Sequence, residues 1–390
     1  MKRVGQFAVV LAAVASFFAW GTEGFAAEPI RIGYMATLTG EGATWGQHER
    51  EGALMAVKDI NARGGVLGRP LELICYDVKG KPEEGVSAIR RLIYDDKVVA
   101  IGGSNYSGIQ IAVAPIADKG KVPVVSSTAT NPAVTVDPDT GKVRPYMFRI
   151  VYTDPYQGKV IADYLIKKCG AKKLAIIGDV GDAYSEGLTE YVKRTAEALG
   201  VENQFWGFRG GDVDFRAQLT AAREWGADAV ALTMYYKEMG LVIKQAAEMD
   251  WKPLFMGGDG YSPNMFEIAG KAMEGTCWVY PMNADDPILD PIKAAFRKEY
   301  DRDATEVLNV VLAYDVVLMI ANAIETAGVA EGPAIRDALE NTQDFKVTHF
   351  VWTVNKETHD PLNKPASILK AKDGKLVFLE QWKPEGAPVK

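Results

Sequence analysis

One stretch of sequence decides the fold of this chain: Val98-Val99-Ala100-Ile101-Gly102-Gly103-Ser104-Asn105-Tyr106-Ser107-Gly108. It begins with four apolar residues, a pattern typical of a strand that is buried on both faces of a parallel sheet. Small and hydroxyl-bearing residues follow, and they lead into a helical pattern. The stretch therefore predicts a strand, a loop at the carboxyl end of that strand, and a helix.

The same strand–loop–helix pattern recurs along the chain. Six further apolar runs alternate with helical patterns: Ile30–Tyr34, Leu71–Tyr76, Val122–Val125, Leu174–Ile177, Ala229–Leu232 and Leu254–Met256. Such alternation predicts right-handed βαβ units in a doubly wound α/β sheet. The units fall into two groups, residues 28–148 and 149–280, so we expect two α/β lobes. A mainly helical stretch over 285–340 follows, and then three strand-like runs: Phe350–Val354, Ile368–Lys370 and Leu376–Gln381.

The composition is that of a globular protein. Of 390 residues, 48% are hydrophobic and 24% are charged, and a chain of this length is expected to form two domains. The 44 basic and 51 acidic residues give a net charge of −7, which argues against nucleic acid or an anionic membrane surface as a partner. Cys75, Cys169 and Cys277 allow at most one disulfide, and their wide spacing does not suit a zinc site.

Residues 1–26 have the three parts of a secretory signal peptide. Lys2 and Arg3 precede an uncharged apolar stretch over Phe7–Trp20, and Gly24 and Ala26 place small residues at positions −3 and −1 of a cleavage site. The alternative is a permanent membrane anchor. Because the apolar stretch has 14 residues, fewer than a membrane-spanning helix needs, we expect cleavage and export to the periplasm.

The rest of the chain contains no comparable apolar segment. The longest later run, Val307–Ala323, is interrupted by Asn309 and Asp315. A membrane-spanning helix needs about 20 consecutive apolar residues. We therefore expect a soluble mature protein.

Residues that follow the predicted strands are candidates for ligand binding, because open α/β sheets bind ligands at the carboxyl ends of their strands. In the first lobe these loops, Ser104–Gly108 and Ser126–Pro132, are rich in hydroxyls. In the second lobe, Gly178–Tyr184, Thr233–Tyr236 and Gly257–Gly260 supply carboxylates and tyrosines. Hydroxyls and helix-start amides suit a carboxylate, whereas an acidic side chain among tyrosines suits a cation and an apolar group. Two such lobes would complement a small zwitterion.

The start of the second lobe carries a helix-capping pattern. Asp154, Pro155 and Gln157 resemble a capping box with proline at the first helical position, and the helix is expected to end at Gly170. In a capping box both side chains bond to backbone N–H groups at the start of their own helix. We therefore expect Asp154 and Gln157 to serve that helix.

The sequence lacks the motifs of several kinds of metal binding, nucleotide binding and catalysis. His48, His349 and His359 do not have the spacing of metal ligands. The sequence has no P-loop, no G-x-G-x-x-G after the first strand and no G-x-S-x-G nucleophile elbow. We expect a binding protein that is not an enzyme and uses no metal or cofactor; an exported α/β hydrolase is the alternative from another class.

Five segments form a familiar set: Ile32–Gly40 (IGYMATLTG), Trp45-Gly46, Ile60–Arg69 (INARGGVLGR), the loop at Ser107 and Ala129–Pro132 (ATNP). Together they resemble the Leu/Ile/Val-binding protein family, whose members are periplasmic substrate-binding proteins of ABC importers. The resemblance covers nearly the whole mature chain. It implies a type I periplasmic binding protein, an α/β fold of two doubly wound, Rossmann-like lobes joined by a three-stranded hinge.

The resemblance also implies how the chain divides between the lobes. The hinge crossings would fall near residues 148, 280 and 348. Lobe 1 would then comprise residues 27–148 plus 281–348, and lobe 2 residues 149–280 plus 349–390. In this family the two lobes close around the ligand in the manner of a Venus flytrap.

Matching positions imply the contacts to the charged groups of a ligand. Ser107 and Thr130 would hydrogen-bond a ligand carboxylate, with backbone groups of Thr128 helping. Asp259 stands where the family has an acidic residue for the α-ammonium group, and it is shorter than the glutamate of the best-known members.

Aromatic positions match as well. Tyr184 and Tyr235 correspond to pocket tyrosines of the second lobe, and Trp45 to an aromatic residue near the ligand side chain. Ser185 differs from the glycine that commonly follows the pocket tyrosine in the family.

The resemblance implies a receptor for an amino acid, with an aliphatic or branched-chain ligand such as leucine favoured. Its partners would be the permease and ATPase subunits of an ABC transporter, and the protein itself would be a monomer. Two alternatives keep the fold: a ligand that is an amide, urea or an aromatic acid, and a role as a ligand sensor instead of a transporter component. An aromatic acid would leave Asp259 without a cationic partner.

Overall fold

The computed structural model describes residues 27–362 and 364–386, and the first of its sheets contains five parallel strands. They are β1 (Ile30–Ala36), β2 (Leu71–Asp77), β3 (Ile101–Gly103), β4 (Val124–Ser126) and β5 (Met147–Arg149). The strand order is β2-β1-β3-β4-β5, and β1 pairs with β2 from Ile30 opposite Leu71 onward. Because the order reverses between β1 and β3, the sheet is doubly wound with its switch point there.

A second sheet repeats this order and extends it. The later strands are β6 (Lys173–Asp179), β7 (Glu202–Phe208), β8 (Ala229–Thr233), β9 (Leu254–Gly257), β10 (Cys277–Tyr280), β11 (Phe345–Lys346), β12 (Val351–Trp352), β13 (Ala366–Lys372) and β14 (Lys375–Trp382). Strands β11 and β12 pair only with each other, and the rest form a sheet in the order β14-β13-β10-β9-β8-β6-β7. Its switch point lies between β6 and β8, while β13 and β14 are antiparallel additions.

Helices cover the sheets. They are α1 (Ala43–Ala62), α2 (Pro82–Arg90), α3 (Ser107–Gly120), α4 (Asp154–Asp163), α5 (Ala183–Ala198), α6 (Arg216–Trp225), α7 (Tyr236–Glu248), α8 (Met265–Ala269), α9 (Asp290–Tyr300), α10 (Val307–Ala327) and α11 (Gly332–Glu340). Side chains of β1 alternate between two apolar clusters: Ile32 and Tyr34 lie in one and Met35 in the other. The first sheet therefore has a core on each face, as the apolar strands predict.

Helices α1 and α10 pack closely on the first sheet, and a glycine permits their approach. A Cβ atom added to Gly52 would lie 2.2 Å from the carbonyl oxygen of Val310. Helix α10 is also the one helix among the described residues that is long and apolar enough to cross a membrane, but 78% of its most apolar stretch is buried within the protein. Its apolarity is that of a core helix.

Each of the seven apolar runs predicted to be parallel strands overlaps an observed strand, although the Val98–Ile101 prediction meets β3 only at Ile101. The three runs in the tail coincide with β12, β13 and β14. Strands β5, β7, β10 and β11 were not predicted. Strand β7 has the sequence ENQFWGF and lies at the edge of its sheet, where polar side chains remain exposed, so it lacks the continuous apolar pattern.

The predicted capping box is wrong. Thr153 occupies the N-cap position of α4 without a side-chain capping bond, and Asp154 is already helical. The Asp154 carboxyl lies beside the Thr130 hydroxyl instead of capping the helix. The Gln157 side chain accepts a hydrogen bond from the backbone N–H of Asp259 at 2.6 Å, outside its own helix. The glutamine therefore joins α4 to the loop after β9.

The chain passes between the two sheets three times: after β5, after β10 and between β12 and β13. Near the third passage, His359 stacks on Phe148 of β5 at 4.1 Å between ring centroids. Asp360 pairs with the buried guanidinium of Arg149 at 2.6 Å. This passage is therefore anchored on the edge strand of the first sheet. The residue boundaries of the lobes remain predictions, and the expected signal peptide lies outside the described residues.

Candidate functional site

The candidate site lies between the two sheets, where the carboxyl ends of their strands face each other. Loops after β3 and β4 form one wall and loops after β6, β8 and β9 form the other, as expected for switch points of doubly wound sheets. In this conformation the cavity has about 20 Å³ of room for a water-sized sphere, so its two walls lie close together. It is lined by Trp45, Asn105, Thr128, Tyr184, Tyr235, Asp259, Gly260, Tyr261, Tyr280, Leu308 and Asn309.

Five of the seven predicted site residues line this cavity: Trp45, Thr128, Tyr184, Tyr235 and Asp259. The other two, Ser107 and Thr130, are buried but do not line it. Their loops are nevertheless joined, because Ser107 Oγ accepts a hydrogen bond from the Asn131 backbone N–H at 3.3 Å. The Thr130 hydroxyl lies beside the buried Asp154 carboxyl and partly offsets the rise in the pKa of that carboxyl.

Aromatic rings close one side of the cavity and connect the two lobes. Trp45, in the first turn of α1, contacts Tyr235 and Tyr236 edge-on at 5.8 and 5.0 Å between ring centroids. Tyr235 stacks on Tyr184 at 5.1 Å and meets Tyr106 edge-on at 5.0 Å. These rings offer flat apolar surface to a ligand, and their mutual packing holds each of them in place.

The acidic side chain at the site is Asp259, in the loop after β9. Two hydrogen bonds fix this loop: the Asp259 N–H donates to Gln157 Oε1 at 2.6 Å, and the Gly260 N–H donates to the Tyr184 hydroxyl at 3.2 Å. Burial raises the pKa of Asp259 to about 7, and the side chains of Gln157 and Tyr184 partly offset this rise. A cation beside this carboxyl would favour its ionised form.

Two further carboxyls lie behind this wall. Asp182 caps α5 by accepting a hydrogen bond from the Ser185 N–H at 2.9 Å, and burial raises its pKa to about 6. Asp154 is fully buried at the start of α4, and burial raises its pKa well above the usual range. Both of these carboxyls belong to the second lobe. The acidic side of the cavity is therefore the side that carries Asp259.

The opposite wall consists of neutral polar groups. The Thr128 hydroxyl donates to the Asn105 carbonyl at 3.5 Å. Ser107 is the first residue of α3, a 14-residue helix that begins close to these loops. The N-terminus of a helix carries unpaired N–H groups and a partial positive charge, which favours an anion. The cavity thus has an acidic side and a side that suits a carboxylate.

Several cavity residues were not predicted as site residues. Asn309 was noted only as an interruption of an apolar run, yet it is a buried amide in the cavity wall. Leu308 beside it and Tyr280 at the end of β10 come from segments that do not follow a predicted strand. No sequence pattern distinguishes them. The packing of α10 against the first sheet brings Leu308 and Asn309 to the site, and the pairing of β10 with β9 and β13 brings Tyr280 there.

Contacts between the lobes surround the cavity. Asn131 Nδ2 donates to the Ala183 carbonyl at 2.6 Å, and the Ser262 hydroxyl donates to Glu306 at 2.5 Å. At the rim, Lys237 approaches Glu41 at 3.6 Å. These polar contacts join surfaces that can separate without exposing an apolar core, which suits a closed cleft that opens.

Residues 27–362 and 364–386 include no group of three or more His, Cys, Asp or Glu side chains that could hold a metal ion. The fold and the site together define a class of protein: a two-lobed binding protein that encloses a small molecule between paired α/β sheets. The topology of the two sheets and the position of the cavity at both switch points define this class.

Comparison with known proteins identifies the family. The family described as "Periplasmic binding protein" matches residues 29–375, and the chain belongs to it. Membership of this family implies a location outside the cytoplasm. A leucine-, isoleucine-, valine-, threonine- and alanine-binding protein of Pseudomonas aeruginosa is 31% identical over 342 residues, covering 87% of this chain and 89% of that protein.

Solved structures show the same relationship. A leucine-binding protein from Thermotoga maritima superimposes with a TM-score of 0.83 at 30% identity, covering 91% of this chain and 99% of that one. A branched-chain amino acid transporter substrate-binding protein from Streptococcus pneumoniae, solved with isoleucine, gives 0.83 at 28% identity, covering 92% and 100%. The predicted type I fold and the predicted family are confirmed.

Proposed function

We propose that this protein is the extracytoplasmic receptor of an ABC importer and binds an amino acid, with an aliphatic or branched side chain, between its lobes. The observation that carries the proposal is the buried Asp259 carboxyl, which lies beside Gln157 and Tyr184 in a small cavity whose other wall is lined by uncharged residues. An α-ammonium group would pair with Asp259. The relatives named above support an amino acid as the ligand.

The ligand carboxylate would lie on the first-lobe side. Thr128 lines the cavity, and the loops of Ser107 and Thr130 adjoin it. Because Ser107 Oγ accepts from a backbone N–H, its own proton is available to a ligand, whereas the Thr130 hydroxyl would have to turn away from the Asp154 carboxyl to reach one. The apolar side chain would then face Trp45 and the tyrosines.

Binding would shift an equilibrium between open and closed lobes toward the closed form. The ligand contributes contacts to both walls only when the cleft is closed, so its binding free energy favours closure. The closed form would dock on the permease, and a separate ATPase subunit would drive transport. We propose that the protein performs no covalent chemistry, is secreted to the periplasm by cleavage after residue 26, and acts as a monomer.

A thermal-shift panel tests this proposal. The protein is unfolded and refolded to remove bound ligand, and its melting temperature is then measured with leucine, isoleucine, valine, leucinamide and 4-methylpentanoate. Ligands that bind only the folded state raise the melting temperature. We expect a rise with the three amino acids and little with the two analogues, which lack the carboxylate and the ammonium group respectively. An equal rise with 4-methylpentanoate would refute the role of Asp259.

A further inference from the structure

A second cavity adjoins the ligand cavity. Tyr261, Tyr280 and Leu308 line both spaces, so the two are neighbours with a shared wall. By the same measure the second space has about 210 Å³ of room. Exposed residues Asp285 and Lys375 lie on its lining, which places one end of it at the protein surface. Apolar side chains form most of the rest: Pro263, Phe266, Val307, Leu369 and Leu376.

One acidic side chain lies in this apolar wall. Glu306, immediately before α10, is 1% exposed. Its Oε1 atom accepts a hydrogen bond from the Ser262 hydroxyl at 2.5 Å, whereas Oε2 has no partner in the described residues. A buried carboxyl oxygen without a partner costs free energy that a donor from a ligand would recover.

A cationic donor would stabilise the ionised form of Glu306. Burial disfavours that form and raises the pKa to about 8, and the Ser262 hydrogen bond opposes that rise only in part. The rings of Tyr261 and Tyr280, in edge-on contact at 5.9 Å between centroids, line both cavities. Aromatic faces accept a methylene chain, and their π surfaces tolerate a cation that passes them.

From this arrangement, and resting on the proposed amino-acid site, we propose that the second cavity is a side-chain subsite for basic amino acids. The ligand's methylene chain passes between Leu308 on one side and the paired rings of Tyr261 and Tyr280 on the other, and its terminal amino or guanidino group pairs with Glu306. The apolar walls suit the methylene groups and Glu306 suits the cation. The same receptor would thus accept leucine in the first cavity alone and a basic amino acid across both.

Calorimetric titration of the refolded full-length protein tests the subsite, with leucine, norleucine, lysine and arginine as probes. Norleucine has the straight chain of lysine up to its last carbon but lacks the terminal amino group. We expect lysine or arginine to bind, and Glu306→Gln to weaken that binding by about 30-fold or more. Because glutamine keeps an acceptor for Ser262, leucine and norleucine affinities should stay within about threefold of wild type.

Two further variants make the result decisive. Ala284→Trp fills the second cavity from a position outside the first and should remove lysine and arginine binding while leucine still binds. Asp285→Asn, at the exposed end, is the matched control and should change neither. If leucine binds but neither lysine nor arginine binds, the subsite is refuted and the proposed function still holds. The same conclusion follows if Glu306→Gln lowers the affinities for leucine and lysine equally. If none of the four ligands binds, the proposed function and the subsite both fail.

Discussion

Ligand affinity is predicted to depend on pH through Asp259. The pKa of this carboxyl is about 7, raised by burial. If an ammonium group binds the ionised form, the competent fraction falls about tenfold for each pH unit below 7. Between pH 8 and pH 5 the affinity for leucine should therefore fall by about 10- to 100-fold, at most about 2.7 kcal/mol. The 100-fold limit applies if Asp259 stays in a closed cleft before binding. In an open cleft, hydration lowers the pKa of Asp259 and the fall in affinity is smaller.

Calorimetric titration with leucine at pH 8, 7, 6 and 5 measures this dependence. Asp259→Asn should bind about 30- to 1000-fold more weakly at pH 8, a loss of about 2–4 kcal/mol, and its remaining affinity should be nearly constant with pH. Glu238→Gln is the matched control, because burial also raises the pKa of Glu238 to about 7 but this residue lies at the rim. A wild-type affinity that is unchanged at pH 5, or an Asp259→Asn variant with the same pH dependence, would refute the assignment.

Three further predictions concern stability and are measured by urea unfolding. Arg149→Met should cost about 3–5 kcal/mol, because it removes a fully buried cation that pairs with Asp360; a loss under about 1 kcal/mol would contradict this. Burial raises the pKa of Glu49 to about 8, so the folded state holds a proton that the unfolded state releases near pH 4.5. Wild-type stability should therefore fall by about 1.4 kcal/mol per pH unit between about pH 5 and 8 from this group, and Glu49→Gln should remove that part of the slope. Gly52→Val should destabilise by about 1–3 kcal/mol, since its Cβ would meet the Val310 carbonyl, whereas the exposed Leu54→Val should change little.

The sequence was sufficient to predict the elements whose burial makes them apolar throughout. The runs at Ile30 and Leu174 became interior strands of their sheets because both faces of each are covered. Strand β7 escaped prediction since an edge strand keeps polar side chains. The loops at strand ends were predictable for the same reason as the sheets: topology alone brings them to one cleft.

What the sequence could not supply were contacts that depend on where separate elements meet. Gln157 has the spacing of a capping residue, and only the position of the β9 loop shows that it serves Asp259. Asn309 and Glu306 reach the cleft because α10 belongs to the first sheet although it follows the second sheet's strands in the chain. A sequence pattern within one segment does not show that a later helix returns to pack on the first sheet.

This return of the chain has a consequence for how the protein is made. Helix α1 finds its packing partner α10 some 250 residues later, and β10 pairs with β13 at Cys277 opposite Lys370. Neither lobe can complete its core until the last third of the chain has been synthesised, and contacts so distant in sequence form slowly. We expect this delay to suit a protein whose family works outside the cytoplasm, because a chain without completed cores is easier to thread across a membrane. The interleaved connectivity that forms the cleft would then also prolong the unfolded state of the nascent chain.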